Sequence, residues 1–182
     1  MRRRTLIAVA CGVALVLPLL GCGWEPLYAN RDTAAAGAEL RAVKVNPIPE
    51  RIGQRLAWAL RVAFNPDGEP TPQRYVLRTQ LTAVRADLGV QTTGIASRSK
   101  LDAIARLTLA DLKTNAVLWA ATSHVAESFD IQVNEYASIV AEDDARTRAV
   151  DELRRDIVDR LTIFLQNRTA DAAKKPGAPS LR

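Results

Sequence analysis

The residue with the most specific chemistry in this sequence is Cys22, which directly follows an apolar leader. Three arginines at positions 2–4 precede an apolar run from residue 6 to residue 20. A short basic cluster before an apolar run of this length is typical of a secretory signal and is short for a membrane span. The leucines and Gly21 directly before the cysteine form a lipobox, the sequence at which lipoprotein signal peptidase cuts before a diacylated cysteine.

We therefore predict that residues 1–21 are a lipoprotein signal peptide and that Cys22 carries the lipid. A lipid at that position anchors the mature chain to a membrane without a spanning segment. The alternative is an ordinary leader or anchor that ends at a buried cysteine. Gly23 stands where an aspartate commonly retains bacterial lipoproteins at the inner membrane, so we expect the periplasmic side of the outer membrane.

Charge and cysteine content narrow the function further. The leader removes three arginines and no acids, which lowers the formal charge from +5 for the whole chain to +2 for the mature one. This small excess is poor evidence for a nucleic-acid partner, which an exported protein rarely meets. Cys11 leaves with the leader and Cys22 is the attachment site, so the mature domain has no cysteine pair for a disulfide.

The other reactive residue types form no catalytic constellation. The sequence has no Gly-rich phosphate loop, no paired cysteines and no serine in a nucleophile elbow. Its single histidine, His124, lies in a predicted strand, where a surface or packed role is more common than catalysis. The acidic run at residues 142–144 is followed by arginines, as on a solvated helix face. We expect no enzyme activity, no cofactor and no metal.

The chain after the anchor is predicted to contain a tether, a strand and a helix. Residues 22–37 form an irregular tether that begins aromatic-rich and turns small and polar. Apolar residues alternate from Leu40 to Val45, which predicts a first strand ended by prolines. From Glu50 to Asn65 they recur at three- and four-residue steps, which predicts an amphipathic helix.

Three longer runs with period-two alternation follow this helix. They cover about residues 73–86, 98–111 and 117–129, and each carries polar residues on one face. Thr114-Asn115 is a tight connection between the last two, which predicts an antiparallel hairpin. One polar face per strand indicates a sheet that helices cover on one side only.

The longest predicted element is a helix over about residues 134–168. An apolar stripe runs along it and includes Leu153 and Ile157 near its middle, while Arg155 lies off the stripe. Acid-before-base pairs four residues apart describe its solvated face. Residues 169–182 are rich in Ala, Lys and Pro, which predicts a disordered tail.

Together these elements predict one α+β domain over residues 38–168. The expected fold is a two-layer α/β sandwich, in which two helices cover one face of a four-stranded, mostly antiparallel sheet. The elements follow the order β-α-β-β-β-α. One domain is also what a mature chain of this length supports.

The opening Cys22-Gly23-Trp24 with Pro26-Leu27-Tyr28 resembles the mature start of the LPS-assembly lipoprotein family, LptE, in its alphaproteobacterial form. The order of elements is similar, as are Asn134-Glu135-Tyr136-Ala137 and the acidic segment 141–145 with its arginines. The resemblance covers residues 19–166. It implies a plug inside the large barrel of the outer-membrane lipopolysaccharide transporter, LptD, and direct contact with lipopolysaccharide.

Two other function classes stay open at this point. A free outer-membrane lipoprotein that binds a ligand or scaffolds the envelope fits the same anchor and domain. A lipid-anchored hydrolase is disfavoured because no catalytic constellation exists. A polar, mixed-charge surface on a tethered domain agrees with a plug in a hydrated barrel lumen.

A cationic group on the third predicted strand is the candidate lipid contact. Because lipopolysaccharide carries phosphates on its lipid portion, a binding surface needs several cations on ordered backbone. Arg98 and Lys100, with Arg106 in phase on the same strand face, form the densest such group outside the helices. An ordinary solvent-facing strand is the alternative interpretation. We predict that Arg98 and Lys100 contact lipopolysaccharide and that Arg106 belongs to the same binding group.

Overall fold

The computed structural model describes residues 31–66, 68, 72–90 and 96–174. In chain order its elements are α1 (Arg31–Arg41), β1 (Val43–Val45), α2 (Arg51–Phe64), β2 (Tyr75–Val90), β3 (Ala96–Asp111), β4 (Val117–Asp130) and α3 (Glu135–Lys174). The predicted α+β class is confirmed, since one four-stranded mixed sheet carries the helices. The helix α1 is an addition to the predicted order of elements.

The prediction for the start of the domain was wrong, because helix α1 lies there. The sequence predicted an irregular tether through residue 37 and a strand from Leu40 to Val45. In the structure the helix runs from residue 31 to residue 41, and β1 keeps only Val43–Val45. Residues 22–30 of the predicted tether lie outside the described residues.

Two features explain why this segment is helical. Alanines occupy positions 34–36, and alanine has the highest intrinsic helix propensity. Near the end of the helix, the Glu39 carboxylate accepts hydrogen bonds from Arg74 Nη2 at 2.6 Å and from the Tyr75 hydroxyl at 2.7 Å. These contacts to the start of β2, together with the complete burial of Ala36, tie α1 to the domain.

The sheet has the strand order β1-β2-β3-β4. The short β1 pairs with β2 in parallel, and α2 lies between them in the chain. The long strands β2, β3 and β4 pair antiparallel with their chain neighbours. The predicted antiparallel hairpin between the last two strands is therefore confirmed.

A short polar turn closes the β3–β4 hairpin. One side-chain oxygen of Asp111 accepts hydrogen bonds from the backbone N–H groups of Lys113 and Thr114, both at 2.9 Å. Asn115 adopts a φ of 56°, a left-handed conformation that asparagine tolerates better than most residues. The two bonds to backbone N–H groups and the nearby Thr114 hydroxyl lower the pKa of Asp111.

One face of the sheet forms the core and the other is open. In β3 the alternate residues Leu101, Ala103, Ala105, Leu107 and Leu109 are all buried beneath the helices. The residues between them point to the opposite face and are half-buried or, as Arg106 is, exposed. Each fully buried leucine stabilises the fold by about 1.5–3 kcal/mol relative to exposure, so the alternation fixes which face the helices cover.

Helix α3 supplies the longest apolar stripe of the core. Leu153 and Ile157 are fully buried, which confirms that the middle of the helix faces the sheet. The helix continues to Lys174, six residues past its predicted end. Arg168 lies over the Tyr75 ring, with its guanidinium carbon 6.0 Å from the ring centroid, so the last turns contact the start of β2. The remaining predicted tail, residues 175–182, lies outside the described residues.

Candidate functional site

The predicted lipid anchor and signal peptide lie outside the described residues. For residues 1–30, which include Cys22, the signal peptide and the lipid anchor therefore stay predictions from the sequence. Among the helices that the structure describes, none combines the length and apolarity needed to cross a membrane.

The single histidine belongs to a polar cluster on the open face of the sheet. His124 Nε2 lies 3.2 Å from Asp102 Oδ1, and Lys100 Nζ lies 2.8 Å from Asp102 Oδ2. Lys100, and to a smaller degree His124, hold the pKa of Asp102 below its ordinary value. A lowered pKa makes this carboxylate a weak general base. In the described part of the chain, no cluster of three acidic, histidine or cysteine side chains suits a metal ion.

The three predicted lipid-contact residues share one face of β3 but do not converge. Arg98 is exposed, with Nε 3.8 Å from Asp130 Oδ1, and Lys100 is paired with Asp102. Arg106 is exposed six residues further along the strand. At about 3.3 Å per residue, Arg98 and Lys100 are roughly 7 Å apart along the strand, whereas Arg106 is about 20 Å beyond Lys100. One phosphate group can meet the first two residues but not all three.

A second cationic group was not predicted from the sequence. It lines a cleft of about 420 Å³ between the start of α2, the β2–β3 pair and the first turns of α3. Four arginines surround this cleft: Arg51, Arg55, Arg85 and Arg146. We call this surface the arginine cleft.

The floor of the arginine cleft is apolar and its rim is partly neutralised. Ile52, Ala83 and Leu101 lie among the guanidinium groups. Arg55 Nη2 lies 3.0 Å from Asp143 Oδ1, and Arg85 Nη1 lies 3.0 Å from Glu142 Oε2.

Arg146 also pairs with Glu142, so one carboxylate holds two of the arginines at the rim. Arg51 is exposed, and none of the residues that the structure describes forms an ion pair or hydrogen bond with its side chain. Cations above an apolar floor match an anion that carries an apolar portion.

Sequence reasoning missed this cleft because its arginines come from three separate elements. Arg51 and Arg55 are one helical turn apart, and the sequence pattern places them on the solvated side of α2. For Arg146 the pattern indicates only the basic member of an i,i+4 ion pair. Arg85 is 61 residues from Arg146 in the chain, as their numbers show. Only the packing of α2 and α3 at one end of the sheet brings them together.

An exposed tryptophan marks a further surface on α2. Trp58 is 68% exposed and lies beside a groove of about 470 Å³ between α2 and α3. Tryptophan is among the residues that most often dominate binding energy at protein interfaces. Val62, one turn further along the helix, is also exposed.

Comparison with known proteins defines the class first. The fold is similar to that of a lipoprotein of Caulobacter crescentus CB15 described as putative, with a TM-score of 0.61 and 24% identity over 73% of this chain and 97% of that one. It is also similar to a minor lipoprotein of Acinetobacter baumannii, with a TM-score of 0.51 and 16% identity over 66% of this chain and 90% of that one. The fold is thus one that solved bacterial lipoproteins share.

The sequence comparison then gives the family. The profile of the LptE family, described as lipopolysaccharide-assembly, matches residues 40–164, which is more than half of the chain. The chain therefore belongs to the LptE family of lipopolysaccharide-assembly lipoproteins, a family of the bacterial envelope. The search of curated proteins finds no match to this chain.

Proposed function

We propose that this chain is the lipid-anchored subunit of an outer-membrane lipopolysaccharide translocon. In this role it is a plug in an LptD-type barrel and contacts lipopolysaccharide during its insertion into the outer membrane. The observation that carries the proposal is the family match, which spans nearly the whole described domain from β1 to the second half of α3. Cys22, if lipidated as predicted, would hold the domain beside such a barrel.

The charged surface of the described domain supports a plug in a hydrated lumen. Along α3, acidic and basic side chains pair on the solvent side, as Glu152 Oε2 does with Arg155 Nη2 at 2.5 Å. Exposed ion pairs of this kind add only about 0–1 kcal/mol of stability each, so their main effect is on the surface and not on the fold. The exposed Trp58 offers an aromatic anchor for the barrel wall or a loop.

We further propose that lipopolysaccharide contacts the end of the sheet where β2 turns into β3. Arg98 and Lys100 lie at this end on the open face, and the arginine cleft lies at the same end on the helix-covered face. Arg98 and Leu101, a floor residue of the cleft, are three residues or about 10 Å apart along β3. Cations on both faces suit a ligand with several phosphates.

Co-purification distinguishes this role from the alternative, a free lipoprotein that binds a ligand or scaffolds the envelope. The full-length chain is expressed in its own envelope with a C-terminal tag and is purified in mild detergent. A plug should retain one large barrel protein at a fixed stoichiometry through salt washes. A chain that emerges alone, while its lipid anchor is intact, contradicts the plug.

Two paired variants test the lipid contact. Arg98→Glu with Lys100→Glu reverses the open-face charges, and Arg51→Glu reverses the cleft arginine that has no ion pair in the structure. Arg78→Glu is the control, since it reverses the charge of an exposed arginine on the same open face at the opposite end of the sheet. Binding of purified lipopolysaccharide is measured at low and moderate salt, because phosphate contacts weaken as salt rises. Unchanged affinity in both test variants would eliminate this end of the sheet.

A further inference from the structure

The outer edge of β4 has no strand partner among the described residues. The strand is 14 residues long and is the last in the order β1-β2-β3-β4. Its inner edge pairs with β3 along nearly its whole length. An unpaired edge of this length is a ready template for another strand, and soluble proteins usually protect such edges.

The direction of the backbone groups on this edge follows from two contacts. The N–H of Ile131 donates to the carbonyl of Ser97 at 3.0 Å, so odd-numbered residues at this end of β4 face β3. The carbonyl of Ser128 instead accepts a hydrogen bond from Arg148 Nη2 at 3.2 Å, so even-numbered residues face outward. The exposed even-numbered residues of this edge that precede Ser128 are Ala120, Thr122, His124 and Ala126. An incoming strand can pair with about eight N–H and C=O groups on these four residues.

The first ten residues of this edge also lack the usual protection against strand addition, whereas Glu127 and Asp130 carry charge near its end. From Val117 to Ala126 the sequence contains no Lys, Arg, Asp, Glu or Pro. Three of the four outward residues carry small side chains, which allow a strand to approach. By contrast, the first residues of β2 pair with β1 on their outer side. Strand β2 also carries the charged residues Arg78, Arg85 and Asp87. Charged side chains and neighbouring strands are the devices that keep other edges from pairing.

Helix α3 decides which kind of strand the edge can accept, because it follows β4 closely. Arg148 Nε lies 3.0 Å from Glu127 Oε2, and Ser123 Oγ lies 2.5 Å from Asp156 Oδ2. Further along, the rings of Trp119 and Phe164 have centroids 6.1 Å apart.

These contacts recur every eight residues on the helix and every four on the strand. At about 1.5 Å per helical residue and 3.3 Å per strand residue, both steps equal roughly 12–13 Å. Helix α3 therefore lies along β4 and antiparallel to it.

This arrangement disfavours a second copy of the chain as the occupant. Antiparallel pairing of two β4 strands would place the two α3 helices on the same side of the joined sheet. Their axes would then be separated by the spacing of adjacent strands, about 4.8 Å. Packed helices need about 8–10 Å between their axes. Parallel pairing avoids this conflict but is less stable per residue. A bare strand with no helix above it meets neither difficulty.

We propose that the outer edge of β4 binds an extended segment of the barrel partner by strand addition. This inference rests on the proposed function, because it identifies the surface through which the plug meets its barrel. Strands within a closed barrel wall have no free edge, so the segment comes from a loop or terminal part of the partner. Main-chain pairing gives the contact its strength and the small side chains permit its approach.

Hydrogen exchange with single-residue resolution tests the proposal on the full lipidated chain, alone and co-purified with its barrel. In the complex, the outward amides of Ala120, Thr122, His124 and Ala126 should exchange at least about 100-fold more slowly than in the free chain. The inward amide of Ala121 should be slow in both. A co-purified barrel with unchanged outward amides overturns the inference alone. Failure of the barrel to co-purify overturns the proposed function and the inference with it.

The free chain distinguishes the other occupants. Slow outward amides at low concentration would mean that a segment of the chain itself covers the edge. Slowing that grows with protein concentration would mean a second copy. Either result contradicts the proposal.

Two variants at one position provide an independent test. Thr122→Pro removes an outward N–H without touching the β3 ladder, and Thr122→Lys adds a protecting charge if the proline variant fails to fold. Each should weaken barrel binding about tenfold. Thr82→Lys is the matched control, because Thr82 is exposed on the same open face but in β2. An equal loss of barrel binding in Thr82→Lys would show that the effect comes from the open face in general. It would contradict strand addition at the edge of β4.

Discussion

Truncation of Leu153 to alanine is the most direct test of how the helix layer packs. Leu153 is fully buried in the middle of α3, and Ile157 one turn further is also fully buried. Both positions face the sheet beneath, so the surrounding core has little freedom to collapse into a new cavity. Arg155 lies between them in the chain but on the exposed side, where Nη2 pairs with Glu152 Oε2 at 2.5 Å.

The expected magnitude follows from the atoms removed. Leu→Ala deletes three buried carbon atoms, which costs about 2–5 kcal/mol when the cavity persists. A central position on a long helix favours the upper half of that range, and we expect about 3–4 kcal/mol for Leu153→Ala. Arg155→Ala removes one exposed ion pair and should change stability by less than about 0.5 kcal/mol.

Urea denaturation followed by circular dichroism measures both changes. The midpoint should fall for Leu153→Ala with an unchanged slope, since the slope reports the surface exposed on unfolding. The Arg155→Ala curve should overlay that of the unchanged chain. A loss below about 1 kcal/mol at Leu153, or an equal loss at both positions, would refute the packing described for α3.

Three further predictions concern a helix, a hydrogen bond and the anchor. In Gly53→Ala the new Cβ would lie 2.6 Å from Ile48 Cγ2 and 3.2 Å from its carbonyl carbon, so thermal unfolding should show a net loss of about 1–3 kcal/mol despite the gain in helix propensity. Buried Ser99 donates to Asp87 at 2.5 Å and lowers the pKa of that carboxyl. Ser99→Ala should raise this pKa in an NMR titration. Since the folded pKa is depressed, the linked stability is present above the unfolded pKa and lost as pH falls through the folded value. The variant should therefore lose less stability on acidification. Cys22→Ala should leave an uncleaved precursor without labelled acyl chains, and normal processing would contradict the lipobox.

Periodicity predicted most of the sheet and the long helix because burial is one-sided. A strand with one buried face must alternate apolar and polar residues, so β3 could be placed from Leu101, Leu107 and Leu109 alone. The same constraint at period 3.6 placed Leu153 and Ile157 on one stripe. These signals are local, and tertiary packing agrees with them.

The start of the domain could not be predicted in the same way. From Leu40 to Val45 the sequence alternates over too few residues to separate a strand from the end of a helix. What decides the outcome is a contact at long range, the bond of Glu39 to Arg74 and Tyr75 at the start of β2. A three-residue β1 then suffices, since its parallel pairing needs only Val43–Val45.

The candidate sites also differ in whether local sequence or long-range packing reveals them. Arg98 and Lys100 were predicted because neighbours in phase on one strand are visible in the sequence, whereas the arginine cleft depends on elements far apart in the chain. The free edge of β4 depends on a different kind of information. Its residues look like an ordinary strand, and only the sheet order reveals that no described strand follows them. Because α3 lies along that strand, the fold leaves the edge open to a bare segment while disfavouring a second copy. The proposed plug would have to bind one barrel and not a second copy of itself, and this arrangement of α3 provides that distinction.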